Sequence, residues 1–99
     1  MSYSVLLHPE AAREFAELDG SLRKVVTKKI RAIGENPSIG LPLGNEANLE
    51  LAGLYKVYVD KKRIRIVYEI RETEIMVFIF AIGKREEMEV YRDADRRRE

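Results

Sequence analysis

Residues 54–83 read LYKVYVDKKRIRIVYEIRETEIMVFIFAIG, and this stretch decides the fold. From Leu54 to Val59 the chain alternates, with Tyr55, Val57 and Val59 on one side and Lys56 and Tyr58 on the other. Side chains repeat every two residues along a strand, so the first set faces a core and the second does not. Arg63 to Arg71 alternates again, with Ile64, Ile66 and Tyr68 opposite Arg63, Arg65, Val67 and Glu69. Asp60 to Arg63 is the polar turn between the two strands, and Thr73-Glu74 makes the next turn. Ile75 to Ile82 is apolar throughout, which predicts a strand covered on both faces, and Gly83 stops it.

Upstream of this stretch, Ser2 to His8 alternates as a short strand that Pro9 ends. Ala11, Ala12, Phe15, Ala16 and Leu18 follow at helical spacing. Asp19-Gly20-Ser21 breaks that helix, and Ser21 is a candidate cap for the next. Leu22, Val25, Val26, Ile30 and Ile33 form one face of the second helix, with Arg23, Lys24, Lys28, Lys29 and Arg31 on the other. Gly34 to Pro37 ends it. Residues 36–53 hold Pro37, Gly40, Pro42, Gly44 and Gly53 and read as one long loop. Downstream, residues 86–99 carry only Met88, Val90, Tyr91 and Ala94 as apolar side chains, which predicts a short, weakly held helix. The order is β-α-α-β-β-β-α. That is an α+β fold, a small antiparallel sheet packed by an N-terminal helical pair, with a short C-terminal helix.

With 99 residues, the chain is expected to form one domain over residues 1–99. A 45% hydrophobic fraction is too high for a disordered chain. No apolar run reaches the roughly 18 residues of a membrane span, and the N-terminus lacks a signal-peptide pattern. A cytoplasmic protein is the simplest expectation, with no membrane partner. The chain has no cysteine and one histidine, His8. That excludes a thiol nucleophile, a Cys-ligated zinc and a two-histidine metal site. No phosphate-binding glycine motif appears, so no metal and no cofactor are expected. His8, before Pro9, reads as a cap or packing residue at the strand–helix junction.

A formal net charge of +1 hides a pattern. Residues 54–71 hold six cations against two anions, and residues 9–20 hold one cation against four anions. The acidic helical segments read as solvated faces. In a hairpin centred on Lys61-Lys62, Tyr58 falls opposite Arg65, and Lys56 opposite Val67. Facing residues lie about 5 Å apart, so Lys56, Tyr58 and Arg65 share the face away from the core. Gly83-Lys84-Arg85 ends the neighbouring strand and brings Arg85 to the rim. A cationic concavity edged by an aromatic ring suits a phosphate, or a nucleic-acid backbone with a stacked base. A solvated sheet face with long basic side chains accounts for the same residues equally well.

Several segments in chain order resemble the RelE branch of the RelE/ParE toxin superfamily. They are Tyr55-Lys56-Val57-Tyr58-Val59, Arg63-Ile64-Arg65-Ile66-Val67-Tyr68, Ile82-Gly83-Lys84-Arg85-Glu86 and Tyr91. The opening Tyr3-x-Val5 strand, His8-Pro9, the helical pair and Asn36-Pro37 extend the resemblance over nearly the whole chain. The resemblance implies a toxin of a type II toxin–antitoxin system with a cognate antitoxin as partner. RelE proper cuts messenger RNA in the ribosomal A site, so the ribosome (30S A site) and mRNA are implied partners.

On that resemblance Lys56 matches the first of two catalytic lysines, and Tyr58 stands where the second usually is. Arg65 matches a phosphate-contacting arginine, Arg85 the arginine after Gly-Lys, and Tyr91 a tyrosine that stacks on the base and assists catalysis. The catalytic set implied is Lys56, Arg65, Arg85 and Tyr91. Tyr58, Lys61, Lys62, Arg63 and Lys84 are assigned to RNA and ribosome binding. Each also has a plain structural reading; Tyr91 in particular could pin the last helix to the core. Two rival functions sit on the same fold: a ParE-like gyrase-inhibiting toxin, and a weakened toxin that only binds its antitoxin.

Overall fold

The computed structural model describes residues 2–46, 49–84 and 87–98. Strand β1 (Ser4–Leu7) leads into helices α1 (Pro9–Ala16) and α2 (Gly20–Glu35). A 3-10 turn (Pro37–Ile39) follows, then β2 (Leu41–Pro42), β3 (Asn45–Glu46) and β4 (Leu49–Glu50). The meander is β5 (Leu54–Val59), β6 (Ile64–Arg71) and β7 (Met76–Gly83), and α3 (Glu87–Arg98) closes the chain. Among the described residues, five strands form one sheet in the order β1-β7-β6-β5-β2, and β3-β4 form a separate ribbon.

The sheet is mixed rather than wholly antiparallel. β5, β6 and β7 are antiparallel as their turns dictate, but β1 lies parallel to β7, with Leu7 opposite Ile79. The helical pair is the crossover that a parallel pairing requires. The expected hairpin register holds: Tyr58 faces Arg65 and Lys56 faces Val67. Its turn is strained, because Asp60, Lys61 and Lys62 take φ of 55°, 56° and 71°. Left-handed backbone costs a non-glycine residue roughly 1 kcal/mol. The Asp60 carboxylate 3.3 Å from Arg63 and the Arg63 amide on the Asp60 carbonyl brace the turn.

One face of the sheet packs on the helical pair. Ala11, Leu18, Leu22, Val26 and Ile33 meet Val57, Val59, Ile64, Ile66, Tyr68, Val77, Ile79 and Ile82. The other face carries a second core, in which Leu54, Val67, Phe80 and Ala81 pack with Leu43, Leu51 and Val90, Tyr91 and Ala94 of α3. β7 is thus covered on both faces, as its unbroken apolar run implies. A register shift sets Val67 opposite Ala81 and Tyr68 opposite Ile79, leaving Phe80 as the extra residue. This bulge lets Ile79 and Ile82, three apart, share the first core.

Three local expectations change. Ser21 is not the cap of α2. Asp19 is, its carboxylate accepting from the Leu22 amide at 3.0 Å and from the Ser21 hydroxyl at 2.8 Å. α2 ends within the expected stretch, at Glu35, with Asn36 as its C-cap. The described residues of the segment 36–53 are structured, with Leu43 and Leu51 buried and the Pro37 carbonyl accepting from the Tyr68 hydroxyl at 2.6 Å. α3 is firmly seated, since Val90, Tyr91 and Ala94 have no exposed surface and Arg97 is buried with them. His8 behaves as expected: it caps α1, its Nδ1 accepting from the Glu10 amide at 3.1 Å.

Candidate functional site

β5 presents Lys56 and Tyr58 on one face because they are two residues apart, and their side chains meet. The Lys56 ammonium donates to the Tyr58 hydroxyl at 3.0 Å. Two further cations reach the same ring. The Lys62 ammonium, from the strained turn, lies 5.5 Å from its centroid, and the Arg65 guanidinium, from the facing position on β6, also lies 5.5 Å away. The Lys56 ammonium itself is 5.1 Å from that centroid and 5.6 Å from the centroid of Tyr91. Three cations around one phenol are held by the ring's negative face. Together they form a concentrated positive field at the sheet surface, suited to a phosphate.

Tyr91 stands deeper than expected. Its ring has no exposed surface and belongs to the second core, beneath the Lys56 ammonium. In this arrangement it offers no face to a base, because α3 packs it against the sheet. Tyr58, half-buried, is the aromatic side chain of the cluster that reaches the surface. Lys61, Arg63 and Lys84 are exposed, Arg63 being paired with Asp60. Lys84 follows Gly83, which sits opposite Arg65 across β6 and β7, so the end of β7 arrives beside the cluster. Arg85 lies outside the described residues. Among the described residues no group of three or more His, Asp or Glu side chains could hold a metal.

Sequence reasoning missed the polar structure behind the site. Glu14, read as part of a solvated acidic face, is largely buried and pairs with Arg97 through both oxygens, at 2.8 and 2.9 Å. Burial alone would lower the Arg97 pKa; Glu14, then Asp93 and Glu10, hold it above its ordinary value instead. A cleft of about 450 Å³ opens beside this pair, lined by Glu10, Glu17, Lys84 and Asp93 among others, and it does not include Lys56, Tyr58 or Arg65. No pattern marks Glu14 or Arg97, because each sits among other charges in chain order.

Residues 5–89 match the family described as ParE toxin of type II toxin–antitoxin system, parDE. The mRNA interferase toxin RelE of Escherichia coli K12 is 32% identical over 100 residues, covering 98% of each chain. Among solved structures, an arginine-to-alanine double mutant of free E. coli RelE superposes with a TM-score of 0.79 at 26% identity, covering 98% of each chain. The toxin–antitoxin complex RelBE2 of Mycobacterium tuberculosis matches in fold, with a TM-score of 0.72 at 23% identity over 86% of this chain and 93% of that one. The chain therefore belongs to the RelE/ParE superfamily, the toxins of type II toxin–antitoxin systems. Within that superfamily it is a member of the RelE branch.

Proposed function

We propose that this toxin is a ribosome-dependent messenger-RNA endoribonuclease that cuts mRNA in the A site and so arrests translation. The observation that carries the reading is the convergence of Lys56, Lys62 and Arg65 on Tyr58. The interferase names of its relatives support it. The cut begins when the 2′-OH gives up its proton and attacks the adjacent phosphorus. The 5′-oxygen then leaves and takes up a proton, which yields a cyclic phosphate and a 5′-OH. Arg65 and Arg85 hold the phosphoryl oxygens with paired N–H donors, and Lys56 adds charge where the transition state gains it. No histidine, the side chain best suited to proton transfer near neutral pH, stands in the cluster, so proton transfer is slow unless geometry is imposed. The ribosome imposes it by holding the codon for in-line attack. Lys61, Lys62, Arg63 and Lys84 contact the RNA and the ribosome.

A cognate antitoxin silences the toxin, by analogy with the RelBE complexes among its structural relatives, and the pair works in the cytoplasm. No helix among the described residues is long and apolar enough to cross a membrane. The test is primer extension on a message in a cell-free translation reaction, with the unaltered protein and with Arg85→Ala. Cuts inside A-site codons from the unaltered protein alone, absent on free RNA, are expected. No cuts from either protein, together with inhibition of DNA supercoiling, would assign the chain to gyrase poisoning.

A further inference from the structure

Strand pairing on the outer edge of β7 stops early. β1 ends at Leu7, opposite Ile79, and the last bond of the pair is the His8 amide on the Ile79 carbonyl. Beyond that point β7 continues to Gly83, still paired with β6 on its other side. The groups that a longer β1 would have met are met by an ion pair. The Arg97 guanidinium donates to the Phe80 carbonyl at 3.0 Å, and Glu14 Oε1 accepts from the Ile82 amide at 3.1 Å. The two side chains are joined by the double contact described above, with Arg97 3% and Glu14 12% exposed. One carboxylate therefore binds three elements: α1, which carries it, the end of β7, and α3 through Arg97.

We infer that Glu14 is a positioning residue for the site, acting through Arg97 as a clip that completes the free edge of β7. Resting on the interferase reading, the clip does two things. It fixes the end of β7, where Gly83 faces Arg65. It also fixes α3, whose Tyr91 ring supports the Lys56 ammonium 5.6 Å from its centroid. Neither Glu14 nor Arg97 needs to touch RNA for this. A buried charge pair is a weak source of net stability compared with apolar residues of the same volume. What such residues cannot supply is an acceptor for the Ile82 amide and a donor for the Phe80 carbonyl. Position and stability are therefore separable by substitution.

Glu14→Ala alone takes from the buried Arg97 its shortest ion pair and leaves only Glu10 at 3.5 Å and Asp93 at 3.6 Å, and the chain can fail to fold for that reason. The decisive variant is the double substitution Glu14→Met with Arg97→Met, compared with Glu14→Gln, which keeps an acceptor oxygen. Two readouts are taken on each full-length protein. One is amide hydrogen exchange at Ile82, Gly83 and Lys84 against amides of β5 and β6. The other is the rate of A-site cutting on translating ribosomes as a function of toxin concentration. In the double variant, exchange at Ile82 and Gly83 rises about tenfold while β5 and β6 are unchanged. Its cutting rate at saturation falls about a hundredfold at an unchanged half-saturating concentration, because the strand end is misplaced. Glu14→Gln falls between the two proteins. A double variant that folds and either cuts at the full rate or keeps native exchange at Ile82 overturns the clip. If the unaltered protein cuts nothing, the interferase reading fails, and the exchange readout alone decides whether Glu14 positions the strand end.

Discussion

Tyr58 and Arg65 face each other across β5 and β6, and the guanidinium sits 5.5 Å from the centre of the phenol ring. The hairpin register alone produces this contact. Its consequence is that the cation proposed above to bind the phosphate is already held by an aromatic ring of the same protein. Pre-positioned charge spends nothing on reorganisation when the transition state forms.

Arg65→Ala and Lys56→Ala are each expected to lower the rate of A-site cutting by about 10²-fold, the usual effect of removing one donor to a developing charge. Neither side chain belongs to a core cluster, so the thermal midpoint should stay close to that of the unaltered protein. Rates from primer extension and melting curves check both halves. A large drop in the melting temperature would reassign either residue to a structural role.

Gly40→Ala is expected to destabilise the fold. Gly40 has an ordinary φ of −77°, so glycine is required there for space and not for backbone freedom. An added Cβ would collide with the Tyr68 hydroxyl and lie 2.8 Å from its Cζ and 3.1 Å from the Tyr55 Cβ. Tyr68 cannot retreat, since it is fully buried and stacked on Tyr55 with centroids 5.7 Å apart. Overpacking of this kind costs about 2 kcal/mol. In a domain this small that lowers the melting temperature by roughly 10 °C.

Tyr68 also predicts an alkaline limit. Burial pushes its phenol up from 10.0 to about 12, against an opposing backbone hydrogen bond from Gly40. The fold favours the neutral phenol, so this contribution is complete below pH ~10 and is lost as pH rises toward 12. Two pH units correspond to about 3 kcal/mol. Urea unfolding across that range should show the loss, and Tyr68→Phe should flatten that part of the profile while giving up the bond to the Pro37 carbonyl.

Asp19 adds an acid dependence of the opposite sense. The Leu22 amide, then the Ser21 hydroxyl, hold its carboxyl below the ordinary 3.8. Its contribution is therefore present above the unfolded carboxyl value of about 3.9 and is lost as pH falls through the lower folded value. Asp19→Asn keeps a cap oxygen and should remove that pH dependence, as read by helicity against pH.

The hairpin register, both faces of β7 and the Lys56–Tyr58–Arg65 cluster were legible because a strand has a period of two and a short turn sets the pairing. The direction of β1 was not, because a four-residue strand pattern reads the same for parallel and antiparallel neighbours. α3 was undervalued for a related reason. Hydropathy counts Arg97 as polar surface, while the fold buries it against Glu14, 83 positions away. Tyr91 has two readings in the sequence, and its burial in the second core is visible only in the packing of α3. In general, local periodicity carries the pattern along an element, and the charges that pair over long separations leave no trace in it.

Tyr58 itself is the departure from the RelE pattern, and three substitutions resolve what it does. The Lys56 ammonium is held by its hydroxyl at 3.0 Å, and the ring gathers Lys62 and Arg65. Tyr58→Phe keeps the ring and removes the oxygen that accepts from Lys56, so cutting should fall about tenfold, the worth of one hydrogen bond to a charged group. Tyr58→Ala also loses the platform for Lys62 and Arg65, and a fall of about 10²-fold is expected. Tyr58→Lys exchanges the platform for a fourth cation beside the phosphate, which strengthens charge stabilisation while loosening Arg65. Because charge at the phosphate is the larger of the two effects, this variant should cut at least as fast as the unaltered protein. Rates measured for all three on the same message decide the matter: a Tyr58→Lys protein slower than Tyr58→Phe would make the ring, and not the positive charge it collects, the essential feature of this position.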